Sequence, residues 1–315
     1  MPRPIFVALL CLVLAAGAFF LPGCGEKSEV PRSQFSGERA MRHVEALVGF
    51  GPRPAGSEAL EKSRVYIEEQ LAALGWEVER QTFTKTTKLR GKVTFVNLRA
   101  RYAGGGAAEI DWNEGGGMVV VASHYDTKWY EDIVFVGAND AGSSTGALIE
   151  LARVLGEDHR DLAGKVELVF FDGEEAFGEN ITAEDGLYGS LYYSRSLWRP
   201  KPAENKPSYG IVLDMIGDRD LLVTPPPNSG QGLVQLAIDC ANDLGYGEHF
   251  APGRTPITDD HVPLDTIARF PSTDLIDFSY EGIWHTEHDT LDKISAESLE
   301  IVGNVTVEML KRLLE

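Results

Sequence analysis

The chain has 315 residues, 43% of them hydrophobic, and a formal net charge of −19. That composition is globular, and the acid excess excludes a nucleic acid or a basic membrane-docking face, since both demand lysine and arginine. With Cys11 and Cys24 inside a leader segment, Cys240 alone remains in the body, which excludes an intrachain disulfide.

Residues 1–24 read as an export signal peptide. Arg3 gives a short positive start, residues 5–21 are apolar, and Leu21-Pro22-Gly23-Cys24 has the wording of a lipobox, in which Cys24 is lipidated and becomes the mature N-terminus. The expectation is an exported bacterial lipoprotein, membrane-anchored by its lipid on the periplasmic or extracellular face. Residues 25–36 are polar and read as a flexible tether. Residues 37–315 are long enough for one large catalytic domain.

Met41, Val44 and Leu47 at helical spacing predict a helix over residues 38–48. Leu60, Ile67, Leu71 and Leu74 predict another over 57–74, the two separated by Gly51-Pro52-Arg53-Pro54-Ala55-Gly56. Alternation over 76–84 and 92–103 predicts antiparallel strands. From Met118 the pattern changes to short continuous apolar runs divided by helices. Strands are expected at 118–122, 166–171, 211–214 and 272–278, and helices at 144–155, 188–197, 232–244 and 297–314. Such runs are buried on both faces and predict a three-layer αβα sandwich with a mixed, mostly parallel central sheet. Trp76 and Trp198 read as packing residues, and Trp129 and Tyr130 as candidates to line a cleft.

Potential metal ligands stand at the ends of these runs: His124 and Asp126, Asp140, Glu174 and Glu175, Asp214, and His285. Each alone reads as readily as a helix cap or a solvated loop residue. Together they point to one place, because the C-terminal strand ends of an open α/β sheet face a common crevice. The mixture of imidazole and carboxylate is one that zinc accepts. Asp126, two residues past His124, suits a carboxylate that fixes the ring tautomer better than it suits a ligand. In Gly173-Glu174-Glu175 adjacent side chains diverge. If Glu175 binds the metal, Glu174 is left beside it to carry protons.

The blocks His124-Tyr-Asp-Thr-Lys128, Phe135-Val-Gly-Ala-Asn-Asp140, Phe170-Phe-Asp-Gly-Glu-Glu-Ala-Phe177, Leu187-Tyr-Gly-Ser190, Leu213-Asp-Met-Ile-Gly217, Asp259-Asp-His-Val-Pro263 and Trp284-His-Thr286 occur in one order. Together they resemble the glutaminyl-peptide cyclotransferases (glutaminyl cyclases), which belong with the zinc aminopeptidases of similar fold. The resemblance runs from about Arg42 to the C-terminus. It implies that Asp140, Glu175 and His285 bind a catalytic Zn2+, that Glu174 transfers the proton, and that Asp214 and Asp259 form a buried acidic network beside it. Trp284, with Tyr280 nearby, would line the pocket for a peptide or protein with a free N-terminus. The implied reaction converts an N-terminal Gln to pyroglutamate and releases ammonia.

The alternative is a secreted zinc aminopeptidase, in which residues matching His124 and Asp214 hold a second zinc and Asp140 bridges the two ions. The ligand positions are filled either way, so the zinc count stays open: one ion in a cyclase, two in an aminopeptidase. Trp284 directly before the last ligand and the doubled Asp259-Asp260 before His261 follow the cyclase wording. His261 suits the Asp259 network better than a metal. The second tryptophan that cyclases carry after the Glu pair is missing from Gly178-Glu179-Asn180-Ile181, which leaves that part of the pocket wall open.

Overall fold

Among the described residues, six strands form a single sheet. In this computed structural model the described residues are Met1 and residues 35–104, 110–112, 117–198, 206–279 and 282–315. The expected signal peptide, its Cys24, almost all of the tether, and Tyr280 lie outside them. Residues from 35 onward form one unit. Its elements are α1 (Gly37–Gly49), α2 (Glu58–Ala73), β1 (Trp76–Thr87), β2 (Gly91–Tyr102), β3 (Val119–His124), α3 (Ser144–Asp158), α4 (Arg160–Ala163), β4 (Val166–Phe171), α5 (Tyr188–Ser196), β5 (Tyr209–Asp214), α6 (Gln231–Asp243), α7 (His261–Pro263), β6 (Ser272–Ile276) and α8 (Ala296–Leu314).

Serines set the helix starts. Ser36, Ser57 and Ser295 each accept a hydrogen bond from the backbone N–H three residues on, which satisfies a donor that the first turn leaves free. β1 pairs antiparallel with β2, and β2 with β4, while β3 pairs parallel with β4 and β5, and β5 with β6. The expected mixed, mostly parallel sheet is therefore present, with the antiparallel hairpin on one edge.

Strand alternation divides the core in two. Val119 and Val121 face a large cluster with α1, α3, α6 and α8, whereas Val120 and Ala122 face a smaller one with Tyr193, Leu197, Leu264 and Phe270. Both faces are covered, which is why β3 is apolar without a break. α3 begins after a kinked turn, Ala138–Ser143, in which Asp140 and Ala141 leave helical geometry and which hydrophobic spacing does not signal. β6 stops at Ile276, two residues before the expected end.

Trp198 corrects an expectation. It is 46% exposed rather than packed, because α5 ends at Ser196 and leaves the indole beyond the helix under the Arg269 guanidinium, 4.5 Å away.

α1 packs tightly on α3 at Gly146, where an added Cβ would lie 2.7 Å from Val44 Cγ2 and 2.8 Å from Ala40 O. Backbone cannot move aside as a flexible side chain can, so Gly146→Val should cost about 1–3 kcal/mol by overpacking. Urea unfolding at matched slope would measure it, and an unchanged midpoint would show that the two helices are not held at this distance.

Candidate metal centre and cleft

The parallel register brings the ligand-bearing strand ends level. His124, the last residue of β3, stands opposite Phe171, the last of β4, and Asp214, the last of β5, stands opposite Ile276, the last of β6. The chain leaves β3 toward β4 on one side and returns as β5 on the other, so the crevice opens at the point where strand order reverses.

Asp140 lies at the centre. Its Oδ1 is 3.2 Å from His124 Nε2, which is itself 3.3 Å from Asp214 Oδ1. Its Oδ2 is 3.3 Å from His285 Nε2, which is 3.1 Å from Glu175 Oε1. Two triads of potential ligands, His124–Asp140–Asp214 and Asp140–Glu175–His285, thus share one carboxylate. Four donors around a zinc at about 2.0–2.1 Å would stand about 3.3 Å apart, so these spacings and this donor set fit the ion.

Asp126 is placed where an orienting group would be. Its Oδ1 is 3.5 Å from His124 Nδ1, and its two oxygens accept the N–H groups of Glu174 and Glu175 at 3.2 and 3.4 Å. One carboxylate therefore faces the β3 imidazole and the β4 loop together. Lys128 is buried beside Glu175, with Nζ 3.4 Å from Oε2 and donating to Ala176 O at 3.0 Å.

Glu174 is buried next to these groups and belongs to neither triad. Burial pushes its carboxyl well above the usual glutamate range; His124 opposes the rise, while Asp259, Glu175 and Asp260 add to it. Burial likewise raises Asp259, with Asp214 and Asp260 adding to the shift, and pushes Asp260 to about 7. For Asp140 burial acts the other way from its partners. His124 and His285 prevail and hold it well below the usual carboxylate range. His261 Nδ1 lies 3.6 Å from Asp274 Oδ2, and Asp259, His261 and Asp274 form a third cluster of potential ligands.

Trp284 is 38% exposed and stacks on His285, with ring centroids 3.9 Å apart, and Phe278 packs against its other neighbourhood at 5.2 Å. Tyr130 donates to His285 O at 3.1 Å, while Trp129 lies under Arg90. The cleft holds about 870 Å3 and is lined by Asp140, Glu175, Asp214, His285, Glu174, Asp259, Met215, Ile181, Phe278, Trp284 and the 251–258 segment. Ile181 lines it in the stretch where no tryptophan was found. A shelf of backbone bonds, Thr224 N to Ile276 O at 2.8 Å and Ala251 N to Val223 O at 3.0 Å, extends the wall outward from β6.

Two residues go unmarked in the pattern of apolar runs. Asp289 accepts the N–H groups of Asn139 and Asp140 on separate oxygens at 2.7 and 3.0 Å, and Arg53 bonds the carbonyls just before them. Asp289 follows His285 by four residues, which is a hint. Burial of Arg53 inside a Pro-Arg-Pro turn has no local signature.

Residues 107–310 match the model of Peptidase family M28. The crystal structure of a glutaminyl cyclase from an Acidobacteriales bacterium is 31% identical, with TM-score 0.75, covering 96% of this chain and 99% of that one. The chain belongs to the glutaminyl cyclases of family M28. The Porphyromonas gingivalis glutaminyl cyclase has TM-score 0.77 at 30% identity, covering 88% of this chain and 98% of its own. The glutaminyl-peptide cyclotransferase of Dictyostelium discoideum is 27% identical over 312 residues, 87% of this chain and 85% of that protein. The αβα architecture of this cyclase-family chain is therefore the aminopeptidase-like one.

Without metal, burial disfavours a charged His285, but Glu175 and Asp140 outweigh it and raise the imidazole to about 9. A pKa raised above its unfolded value of about 6.5 gives stability that is complete below that pH and fades as pH rises through about 9. In EDTA, the stability advantage of the parent over His285→Gln should shrink across this window in urea titrations. An advantage that grows with pH would mean that the imidazole is neutral in the metal-free fold.

Proposed function

We propose that this chain is a zinc-dependent glutaminyl-peptide cyclotransferase, which closes the N-terminal Gln of a peptide to pyroglutamate and releases ammonia. The observation that carries this reading is a buried Glu174 standing free beside the Asp140–Glu175–His285 triad, in a chain whose relatives are named glutaminyl cyclases. Asp140, Glu175 and His285 hold one catalytic zinc in this reading. When bound, the ion supplies Lewis-acid polarisation of the substrate's γ-carbonyl.

Glu174 takes a proton from the α-amine as its nitrogen bonds the carbonyl carbon of the side-chain amide, Cδ, and returns it to the amide nitrogen as the old C–N bond breaks. One proton and one C–N bond are exchanged, and ammonia leaves. The high proton affinity that burial gives Glu174 suits the return step. In this reading Asp214 and Asp259 form the buried acidic network beside it, and Asp259, with Glu175 and Asp260, adds to the proton affinity of Glu174. Trp284, braced on His285 and Phe278, forms a wall that excludes water, so the substrate's own amine is the nucleophile at hand. Tyr280 is assigned to the same wall by its place in the sequence.

The second triad, His124–Asp140–Asp214, favours one other reading, a two-zinc aminopeptidase in which Glu174 activates water. Zinc-loaded protein given a Gln-initiated and a Leu-initiated peptide separates the two by product mass. Loss of ammonia from the first marks a cyclase, and a free amino acid released from either marks a peptidase. Glu174→Gln should fold, keep its zinc and lose about 10²–10⁴-fold in turnover. Asp140→Ala should lose zinc and activity together, and full zinc content in that variant would remove Asp140 from the ligand set.

We also propose that the protein is an exported lipoprotein anchored through Cys24, a reading supported by the Leu21-Pro22-Gly23-Cys24 wording. Cys24→Ser should abolish palmitate labelling and move the enzyme out of the membrane fraction. Unchanged partitioning would end this reading.

A further inference from the structure

We propose that Arg53 is a positioning residue for the metal: it latches the Val136–Asp140 segment in its ligating shape before an ion arrives. The inference rests on the assignment of Asp140 as a ligand. Arg53 is 1% exposed, and every acceptor of its guanidinium hydrogen bonds is a main-chain carbonyl. Nη1 donates to Val136 O at 2.8 Å and to Leu47 O and Gly51 O at 3.3 Å, and Nη2 to Gly137 O at 3.1 Å. Its own backbone pairs with Thr127, N–H to Oγ1 at 2.9 Å and C=O from the Thr127 N–H at 3.2 Å. Arg53 thereby joins the loop after Asp126 to the loop before Asp140.

The segment it holds is sharply folded. Gly137 has φ 53°, and an added Cβ would stand 1.9 Å from Asp140 O, so only glycine fits. Gly137 O also accepts Gly142 N at 3.1 Å, which closes the turn that carries Asp140. On the far side Asp289 takes the N–H groups of Asn139 and Asp140. A buried cation thus grips the carbonyls entering the turn, and a buried anion grips the amides next to the ligand. A charge at this depth is costly unless it is hydrogen-bonded; Nη1 and Nη2 of the planar guanidinium together reach four carbonyls, one more than the three donors of an ammonium could serve singly, while Nε has no partner among the described residues. Both grips consist of protein groups alone, so the turn needs no metal to take its shape. A ligand loop ordered in advance spares the ion the entropy of ordering it.

Two measurements test this. In the zinc-free parent, the amides of residues 139–142 should keep the hydrogen-exchange protection that they have with zinc. Arg53→Lys keeps the charge but loses the fork, and with Arg53→Met it should weaken zinc affinity about 10–100-fold in chelator competition, as loss of a group supporting a ligand does. A role in packing alone would lower the melting temperature and leave zinc affinity unmoved, and that result overturns the proposal. So does loss of protection at 139–142 when zinc is removed from the parent, a result that stands even if Arg53→Met does not fold. A parent that binds no zinc at all would instead overturn the ligand assignment of Asp140, and the latch with it.

Discussion

The structure is organised by the need to bury more negative charge in one place than the protein can neutralise. Asp126, Asp140, Glu174, Glu175, Asp214, Asp259, Asp260, Asp274 and Asp289 are all buried, against Arg53, Lys128 and the imidazoles of His124 and His285. A carboxylate taken out of water costs several kcal/mol unless it is paired and hydrogen-bonded. The fold meets that cost in three ways. Backbone N–H groups serve Asp126 and Asp289, imidazoles face Asp140 from both sides, and carboxyls at which burial outweighs the partners, such as Glu174 and Asp259, are pushed toward their protonated forms. The two triads around Asp140 are where negative charge is left over and donors converge, which is the environment a divalent cation completes.

The sheet makes this concentration possible. Parallel strands in matched register deliver His124 and Asp214 at one level, and the helices on both faces keep water away from the strands behind them. Backbone strain collects at the same level. Met215, directly after Asp214, has φ 46° and His285 has φ 57°, conformations that cost a side-chain-bearing residue about 1–3 kcal/mol each. Asp289 binds the His285 loop to the Asp140 turn, so two ligands supplied by segments nearly 150 residues apart in sequence, as the Asp140 to Asp289 bond records, move as one.

Much of this is legible in the chain, for physical reasons that differ by residue. Val166 to Phe171 reads as a buried strand because nothing polar but Glu167 interrupts it, and ligands past such strands can be named because parallel strands end on one side. Glu167 itself is matched by Arg99 and Arg101 from β2, a pairing across strands that no local pattern carries. The kinked turn at Ala138–Ser143 escapes because it is held by Arg53 and Asp289, which are distant in sequence. Trp198 misleads because an indole is read as core wherever it falls, although here it lies past a helix end. What sequence reading loses is the set of polar contacts between distant segments, and the buried charges of this protein are held by such contacts.

The difference between closing a ring and cutting a peptide on this framework comes down to the nucleophile. A hydrolase must bind a water, strip its proton and keep it ready, a task for which a second ion beside His124 and Asp214 would be useful. In the proposed cyclisation the nucleophile is part of the substrate and arrives already within reach of its own γ-carbonyl, so proximity supplies much of what activation would otherwise have to. The one proton in play then travels between two nitrogens of the same residue. A single carboxyl placed beside them can collect it and give it back, and Glu174, buried, uncoordinated and of raised proton affinity, is such a group. On this reasoning His124 and Asp214 keep a role without an ion. Burial opposes a charged His124, but Asp126, Asp140 and Asp214 outweigh it and raise the proton affinity of the imidazole that stands between them.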